Sequence, residues 1–367
     1  MNIFLINYIV MIVEALWLLY RPKEKNSVSE VEIRNKKKLF VILMCIQWVL
    51  ISCFRADTVG ADTANYARIF ELHSELSWKE CFDYFKAFYV DGEMLYEFEP
   101  GFVFFEKLVS SIWYNQAFYK FAVAAIFMTS LGRFVYKNSD DPFIAFLLYS
   151  GLFYNMFSLT GYRQVLSVAI GILWAYEYVK KRKFFRFLIL VLIGAMIHKT
   201  TLVFIPFYFL SKKKITVLYG FCSILTILAM VALRNPLFNL VKGFVGYDEY
   251  GEYTAVFTQR NFLIFFAILA FLCIWRHRYV AKECPESHIY YNGLIMSAAM
   301  IPFAMVSPTS MRLVYDFAFM LMILIPKVYQ SFSEKRDRII AYAGSVAVFG
   351  YFVATKAIEY EFFWEVL

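Results

Sequence analysis

Long apolar runs recur along this chain, and they constrain its fold more than any other feature of the sequence. Examples are the segments 39–54, 117–136 and 339–355. Runs of about 16–20 apolar residues are typical of transmembrane helices, because a helix of that length crosses the hydrocarbon core of a bilayer. Hydrophobic residues make up 61% of the 367 residues and charged residues only 18%, which excludes an ordinary soluble domain. The sequence therefore predicts an all-α, polytopic integral membrane protein.

Lysine and arginine residues cluster in short segments between the apolar runs, a distribution typical of the cytoplasmic loops of membrane proteins. The net charge of +8 therefore does not indicate nucleic acid binding. By the positive-inside rule these basic segments face the cytoplasm and the N-terminus lies outside. Alternating crossings then predict about ten full transmembrane helices in a single domain, residues 1–367. Large extracytoplasmic loops are expected at about 55–100 and 235–261.

Two segments do not fit a simple crossing. The segment 187–210 has basic residues on both sides, which predicts a hairpin of two short helices with His198-Lys199-Thr200-Thr201 at its tip. Each arm would be about 16–21 Å long, short of a full crossing. The segment 101–114 follows Pro100 and is broken by Glu106 and Lys107, so it predicts an interfacial or re-entrant helix.

In this topology the outside face gathers Arg55, Arg163, Arg260 and Arg312 near the predicted ends of helices. Arginine is costly at membrane depth unless it is paired or faces a polar cavity, which makes each a candidate functional residue. Several guanidinium groups near one surface could hold a diphosphate without a metal ion. The alternatives are that Arg163 snorkels to the headgroups and that Arg55 and Arg260 contact acidic neighbours in the loops.

His198, at the hairpin tip, is a candidate general base because its unperturbed pKa of about 6.5 lies near physiological pH. Asp62 and Glu99 are alternative bases, and a polar turn is the non-catalytic interpretation of His198-Lys199. The other three histidines, His73, His277 and His288, lack ligand spacing and are predicted to be inert. No CxxC or other metal-type spacing occurs, so neither a metal nor another cofactor is expected. The six cysteines are scattered along the chain, and we predict no disulfide.

Several short segments, in order along the chain, resemble the EpsG family. They are Arg55-x-x-x-x-Gly60-x-Asp62-x-x-x-Tyr66, Glu99-Pro100-Gly101-Phe102, Tyr162-Arg163-Gln164-Val165-Leu166-Ser167-Val168-Ala169 and His198-Lys199-Thr200-Thr201-Leu202. Arg312 with Tyr315 looks like the late arginine region of that family. The family is similar to the Wzy-type polymerases of O-antigen, capsule and exopolysaccharide. Lys199 departs from the pattern, because a small polar residue such as Ser is expected there.

The resemblance implies a GT-C-like membrane glycosyltransferase on the outer face of the bacterial cytoplasmic membrane. The growing glycan would pass from undecaprenyl diphosphate to a sugar hydroxyl of the next lipid-linked repeat unit. His198, Asp62 and Glu99 would then be catalytic, and the residues expected to bind diphosphate or sugar are Arg163, Arg312, Arg55, Arg260, Tyr66, Tyr162, Gln164 and Tyr315. Besides the lipid-linked oligosaccharide, the expected partners are membrane lipids, a flippase and a chain-length regulator.

Two other functions fit the same composition. A flippase or exporter of lipid-linked oligosaccharide would also need arginines for the diphosphate, but it favours buried charges along a central pathway and pseudo-symmetric halves. A membrane O-acyltransferase that modifies polysaccharide also uses a membrane histidine. The polar residues of this chain gather at the predicted outer ends of the helices, which favours the glycosyltransferase over the flippase.

Overall fold

The computed structural model describes residues 2–20, 29–96, 98–245, 260–355 and 358–366, without the side chains of 242–245. All regular secondary structure in this part of the chain is helical. Among these residues the one β-bridge is isolated and antiparallel, between Arg55 and Phe362. This agrees with the all-α prediction. The bridge joins the C-terminal tail to the end of the second helix.

Eighteen α-helices follow one another in the described residues. They are α1 (Ile3–Leu18), α2 (Glu30–Cys53), α3 (Thr63–Glu75), α4 (Trp78–Lys86), α5 (Pro100–Ile112), α6 (Gln116–Asn138), α7 (Pro142–Leu148), α8 (Tyr162–Val168), α9 (Tyr176–Lys180), α10 (Phe184–Ile197), α11 (Phe204–Leu210), α12 (Val217–Ala232), α13 (Arg234–Val245), α14 (Arg260–Glu283), α15 (His288–Ala304), α16 (Met311–Ala318), α17 (Leu321–Gln330) and α18 (Lys335–Thr355). Short π-helical segments extend α4, α7 and α8.

Among these helices, α6, α14 and α18 are long and apolar enough to cross a membrane. The helices α12 and α13 form a fourth candidate if they are one span bent by 81°. In the apolar windows of α14 and α18 only 22% and 17% of the residues are buried, so these helices turn apolar side chains outward, as lipid-facing helices do. The helices indicate a membrane protein, and the number of ten full crossings stays a prediction.

The segment 142–180 forms the buried centre of the protein. It runs through α7, two π-helical segments (Tyr149–Phe153 and Asn155–Leu159), α8, a third π-helical segment and α9. Nearly every side chain between 142 and 169 is buried, which is expected of helices that are apolar all round. The helical path is broken at Thr160, which is extended, and at Gly161, which is left-handed, and α8 begins directly after them.

The predicted outer loop 55–100 is folded into helices. Ser77 begins α4 with a capping box, in which its hydroxyl accepts from the Glu80 N–H and the Glu80 carboxylate accepts from the Ser77 N–H. Pro100 occupies the first turn of α5, where a missing N–H costs nothing. In the second predicted loop, 235–261, the first part forms α13, and 246–259 lie outside the described residues.

The segment 184–210 is broken where the sequence predicted a hairpin tip. The helix α10 ends at Ile197, and His198 adopts an extended conformation with φ −155° and ψ 115°. A 3-10 segment, Lys199–Val203, then leads into α11. The break leaves His198 and the N–H of Lys199 available for contacts with another part of the chain.

Gly101 allows α5 to approach the end of α10. A Cβ atom at this position would lie 2.5 Å from the carbonyl oxygen of Met196. This oxygen belongs to the backbone of α10, so it can move away only if the helix itself shifts. We therefore expect Gly101→Ala to push α5 away from α10, to separate Glu99 from His198, and to destabilise the protein by about 1–3 kcal/mol. Thermal unfolding of the purified protein in detergent measures this effect.

Gly220→Ala is the matched control. Gly220 lies inside α12, and a Cβ atom there would meet nothing within 4 Å. Because alanine is the better helix former, this variant is expected to be neutral or slightly stabilising. Equal destabilisation by the two substitutions would contradict the role assigned to the contact between Gly101 and Met196.

Candidate functional site

The helix α5, the buried helix α8 and the break after α10 bring three predicted site residues together. Glu99 precedes the first turn of α5, Arg163 lies in the first turn of α8, and His198 follows the last turn of α10. All three side chains are buried, with exposed fractions of 1%, 8% and 4%. We call these three residues the buried triad.

Glu99 connects the other two members of the buried triad. Its Oε2 accepts a hydrogen bond from Arg163 Nη1 at 2.8 Å. Its Oε1 lies 3.3 Å from His198 Nδ1 and accepts from the backbone N–H of Lys199 at 3.1 Å. A carboxylate that accepts from an arginine and from a backbone N–H is stabilised in its charged form. Contact with Glu99 at Nδ1 favours the tautomer of His198 in which Nε2 is the basic nitrogen.

A second ion pair lies at a more open position. Arg312, on α16, donates from Nη2 to Asp62 Oδ2 at 2.8 Å, although the two residues are 250 positions apart. The side chains keep exposed fractions of 24% and 33%. Solvent or a ligand therefore reaches this pair more readily than the buried triad. An incoming anion could replace the Asp62 carboxylate at Arg312.

Gln164 joins the helix of Arg163 to the helix of Arg312. Its amide nitrogen donates to the carbonyl oxygen of Arg312 at 2.9 Å and to Asp316 Oδ1 at 2.6 Å. Gln164 and Asp316 are each 1% exposed. This link holds α8 and α16 at a defined spacing, and with them the two arginines. The sequence analysis singled out Gln164 but not Asp316, which lies four residues after Arg312 on the same face of the helix.

Tyr66 and Tyr162 form a stacked pair beside the arginines. Their ring centroids are 4.6 Å apart with an interplanar angle of 7°. Burial raises the pKa of the Tyr66 phenol, and the positive charges of Arg163 and Arg312 oppose that rise. Because Gln164, the neighbour of Arg163, donates to the backbone of Arg312, the buried triad and the Arg312–Asp62 pair lie close to each other.

Arg55 is fully enclosed by the protein. Its guanidinium donates to the carbonyl oxygens of Ser52, Val59 and Leu159 and, at 2.7 Å, to the hydroxyl of Tyr162. Its exposed fraction is 1%. This cage of acceptors makes Arg55 an anchor between the end of α2 and the turn before α8. The predicted role of Arg55 in binding a diphosphate has no support in this arrangement.

Gly60 contributes to the same contact between the end of α2 and the turn before α8. It has φ +103°, and a Cβ atom there would lie 2.0 Å from the carbonyl oxygen of Leu159. Only glycine adopts this conformation readily and permits so close an approach. The following residues, Asp62 and Tyr66, are therefore held against the turn that carries Arg163.

Arg260 and Tyr315 are placed differently from the other predicted site residues. Tyr315 packs in an aromatic cluster with Phe262 (ring centroids 4.2 Å apart) and Phe153 (6.1 Å). Arg260 is exposed at the first residue of α14, shortly before Phe262. Tyr315 therefore has a packing role, and the role of Arg260 in binding a diphosphate or sugar stays a prediction.

The sequence analysis missed a buried network behind the site. Glu106 is fully buried in α5; one of its oxygens contacts His73 Nδ1, and the other accepts from the Tyr119 hydroxyl at 2.5 Å. Burial raises the pKa of Glu106, and the contact with His73 opposes that rise. The rings of His73 and Phe98 meet edge to face, and Phe98 lies under the Arg163 guanidinium at 3.9 Å. The network therefore supports Arg163 from behind.

Helical spacing could have revealed this network. The buried face of α3 is formed by Tyr66, Ile69, Phe70 and His73, which follow the i, i+3, i+4, i+7 pattern of a buried face. Glu106 likewise lies on the buried face of α5. His73, which the sequence predicted to be inert, belongs to the packed face of α3 and contacts Glu106. The predicted helix over 101–114 is present as α5 and continues through Glu106, and its interfacial position stays a prediction.

Comparison with known proteins agrees with the resemblance. The family model of the EpsG family matches residues 38–365, which is most of the chain and includes every residue of the site described above. No curated protein and no solved structure matches the chain significantly. Membership in the family therefore rests on the family match, and the residues of the candidate site are identified from the geometry of the structure.

Proposed function

Because the chain belongs to the EpsG family, the family of Wzy-like polysaccharide polymerase-type proteins, we propose that it polymerises lipid-linked repeat units. The growing glycan passes from undecaprenyl diphosphate to a sugar hydroxyl of the next lipid-linked repeat unit. The reaction takes place on the outer face of the bacterial cytoplasmic membrane. The single observation that supports this assignment is the pairing of a buried Arg163–Glu99–His198 triad with an accessible Arg312–Asp62 pair.

In this proposal, Arg312 binds the diphosphate of the donor. The diphosphate takes the place of the Asp62 carboxylate, because both are anions and the guanidinium fork suits phosphate oxygens. Arg163 adds a second positive charge whose position is set by Glu99 and by the Phe98 ring. Fixed positive charge stabilises the leaving diphosphate as its negative charge develops.

His198 acts as the general base in this scheme. The acceptor hydroxyl oxygen bonds to the anomeric carbon of the donor sugar, and the bond from that carbon to the diphosphate oxygen breaks. The electron pair leaves with the diphosphate, and the hydroxyl proton passes to His198. Glu99 holds His198 through Nδ1, which favours Nε2 as the proton acceptor. Glu99 itself is engaged by Arg163 and Lys199 and serves as a positioning residue.

Arg312→Lys tests the proposal directly. Lysine keeps the charge but lacks the planar fork, and a hydrogen bond to a charged group contributes about 1.5–3 kcal/mol. We therefore expect polymer per unit of membrane-inserted protein to fall about tenfold or more. Lipid-linked single repeat units should accumulate on the outer face. The measurement combines gel analysis of polymer, analysis of lipid-linked sugars and quantification of the protein in membranes.

Arg68→Lys is the matched control, because Arg68 is exposed on α3 and contacts Asn65 on the same helix. It should leave the polymer unchanged. Normal polymer in the Arg312→Lys variant would remove Arg312 from the diphosphate site. Accumulation of repeat units on the cytoplasmic face would instead indicate a flippase, and polymer of normal length lacking an acyl group would indicate an acyltransferase.

A further inference from the structure

A cavity of about 340 Å³ lies away from the site described above, between the last turns of α6, the helix α9 and the turn before α15. Its lining contains four cationic and two anionic side chains, so positive charges outnumber negative charges. We call it the basic cavity. Its charged residues are Arg133, Lys137, Lys180, Lys181, Glu177 and Glu286.

Glu177 is shared by three of the cations of the basic cavity. It contacts Arg133, lies 3.1 Å from Lys137 Nζ and accepts from Lys181 Nζ at 2.5 Å. One carboxylate cannot neutralise three cations, so a net positive charge remains in a partly enclosed space. Arg133 and Glu177 are only 26% and 21% exposed, and solvent screens charges at such positions less than at an open surface. An anion that enters the cavity is therefore attracted.

Trp174 places the basic cavity at a membrane surface. The Arg133 guanidinium lies over the indole ring of Trp174 at 4.2 Å. The indole Nε1 of Trp174 donates to the Ser130 hydroxyl at 2.6 Å. Trp174 is 40% exposed, and tryptophan is enriched where the bilayer meets water. The basic segment 180–186 follows directly and marks the cytoplasmic side by the positive-inside rule.

We propose that the basic cavity binds the phosphate group of an anionic phospholipid from the cytoplasmic leaflet. The cations supply the charge and hydrogen-bond donors that a phosphate group requires. The lining residue Leu173 and the neighbouring ring of Trp174 offer apolar surface beside the charges, which suits a lipid better than free phosphate. This site is separate from the glycosyl transfer site and does not depend on the proposed function.

Native mass spectrometry of the full chain, purified in detergent, tests the proposal. The protein is mixed with phosphatidylglycerol or with phosphatidylcholine, and the bound lipid is counted. The wild type should retain phosphatidylglycerol in preference to phosphatidylcholine. The double variant Lys137→Gln/Lys181→Gln should retain phosphatidylglycerol about thirtyfold more weakly, because each lysine near a lipid phosphate contributes about a factor of five.

Two further variants separate specific binding from general charge and from misfolding. Lys335→Gln/Arg336→Gln removes two exposed cations of α18 and should not change lipid retention. Glu177→Gln removes the carboxylate that competes with the phosphate and should strengthen retention, which an unfolded protein could not show. Equal retention of the two lipids by the wild type would overturn the proposal, as would equal losses in the two double variants or weaker retention by Glu177→Gln. Displacement of the lipid by millimolar inorganic phosphate would identify free phosphate as the ligand and would also overturn it.

Discussion

His198→Ala is expected to lower polymer per unit of membrane-inserted protein by about 10²–10⁴-fold, the usual cost of removing a general base. The protein should remain in the membrane, because Glu99 keeps its hydrogen bonds from Arg163 and from the N–H of Lys199. Single repeat units should accumulate on the lipid carrier. The measurement is polymer and lipid-linked repeat units, each divided by the amount of inserted protein.

His198→Asn separates catalysis from structure. The asparagine amide can keep the hydrogen bond to Glu99, but it cannot take a proton at neutral pH. This variant should therefore be as inactive as His198→Ala and as stable as the wild type. His277→Ala, which changes a histidine on α14 that contacts Tyr291, is the control and should stay active. An active His198→Asn protein would show that His198 is only a turn residue, and Asp62 would become the candidate base.

Glu99→Gln is expected to damage stability as well as activity. The substitution removes the carboxylate that accompanies the buried guanidinium of Arg163, and breaking a buried ion pair in this way costs about 3–5 kcal/mol. That cost is a large part of the stability of a typical protein. Glutamine keeps only one acceptor oxygen, so it cannot accept from both Arg163 and His198 as the two carboxylate oxygens do. Thermal unfolding in detergent and the amount of inserted protein measure the first effect, and polymer per inserted protein measures the second.

An exposed ion pair provides the control for Glu99→Gln. Glu32 pairs with Lys36 at 2.6 Å on α2, and both side chains are more than 40% exposed. Surface pairs of this kind contribute about 0–1 kcal/mol, so Glu32→Gln should leave unfolding nearly unchanged. If Glu99→Gln unfolds like the wild type, Glu99 does not anchor the buried triad. If it is stable but inactive, Glu99 acts in the reaction itself.

The two predictions have different signatures because the residues have different surroundings. Removal of His198 should affect the rate and leave the fold, whereas removal of Glu99 should affect both. This contrast comes from the number of contacts that each side chain makes, and residue type alone does not provide it. From the sequence, His198 was the candidate base, with Asp62 and Glu99 as alternatives.

Local structure followed from the sequence where neighbouring residues decide it. Apolar runs became helices, Pro100 began α5, and a break fell at His198. These features depend on backbone geometry and on the spacing of apolar residues within one or two turns. Family membership also followed from the sequence, because the order of short motifs along the chain is a property of the sequence itself.

Which charged residues share a site was decided by the tertiary structure alone. Arg55 and Arg312 look alike in the sequence, yet one is caged by carbonyl oxygens and the other meets Asp62 from 250 positions away. The pairing of His73 with Glu106 likewise joins two helices. Such contacts depend on how closely helices approach, which here is set by Gly60 against Leu159 and by Gly101 against Met196. Local rules of helix formation carry no information about these distances, because they act only within a few residues of the chain.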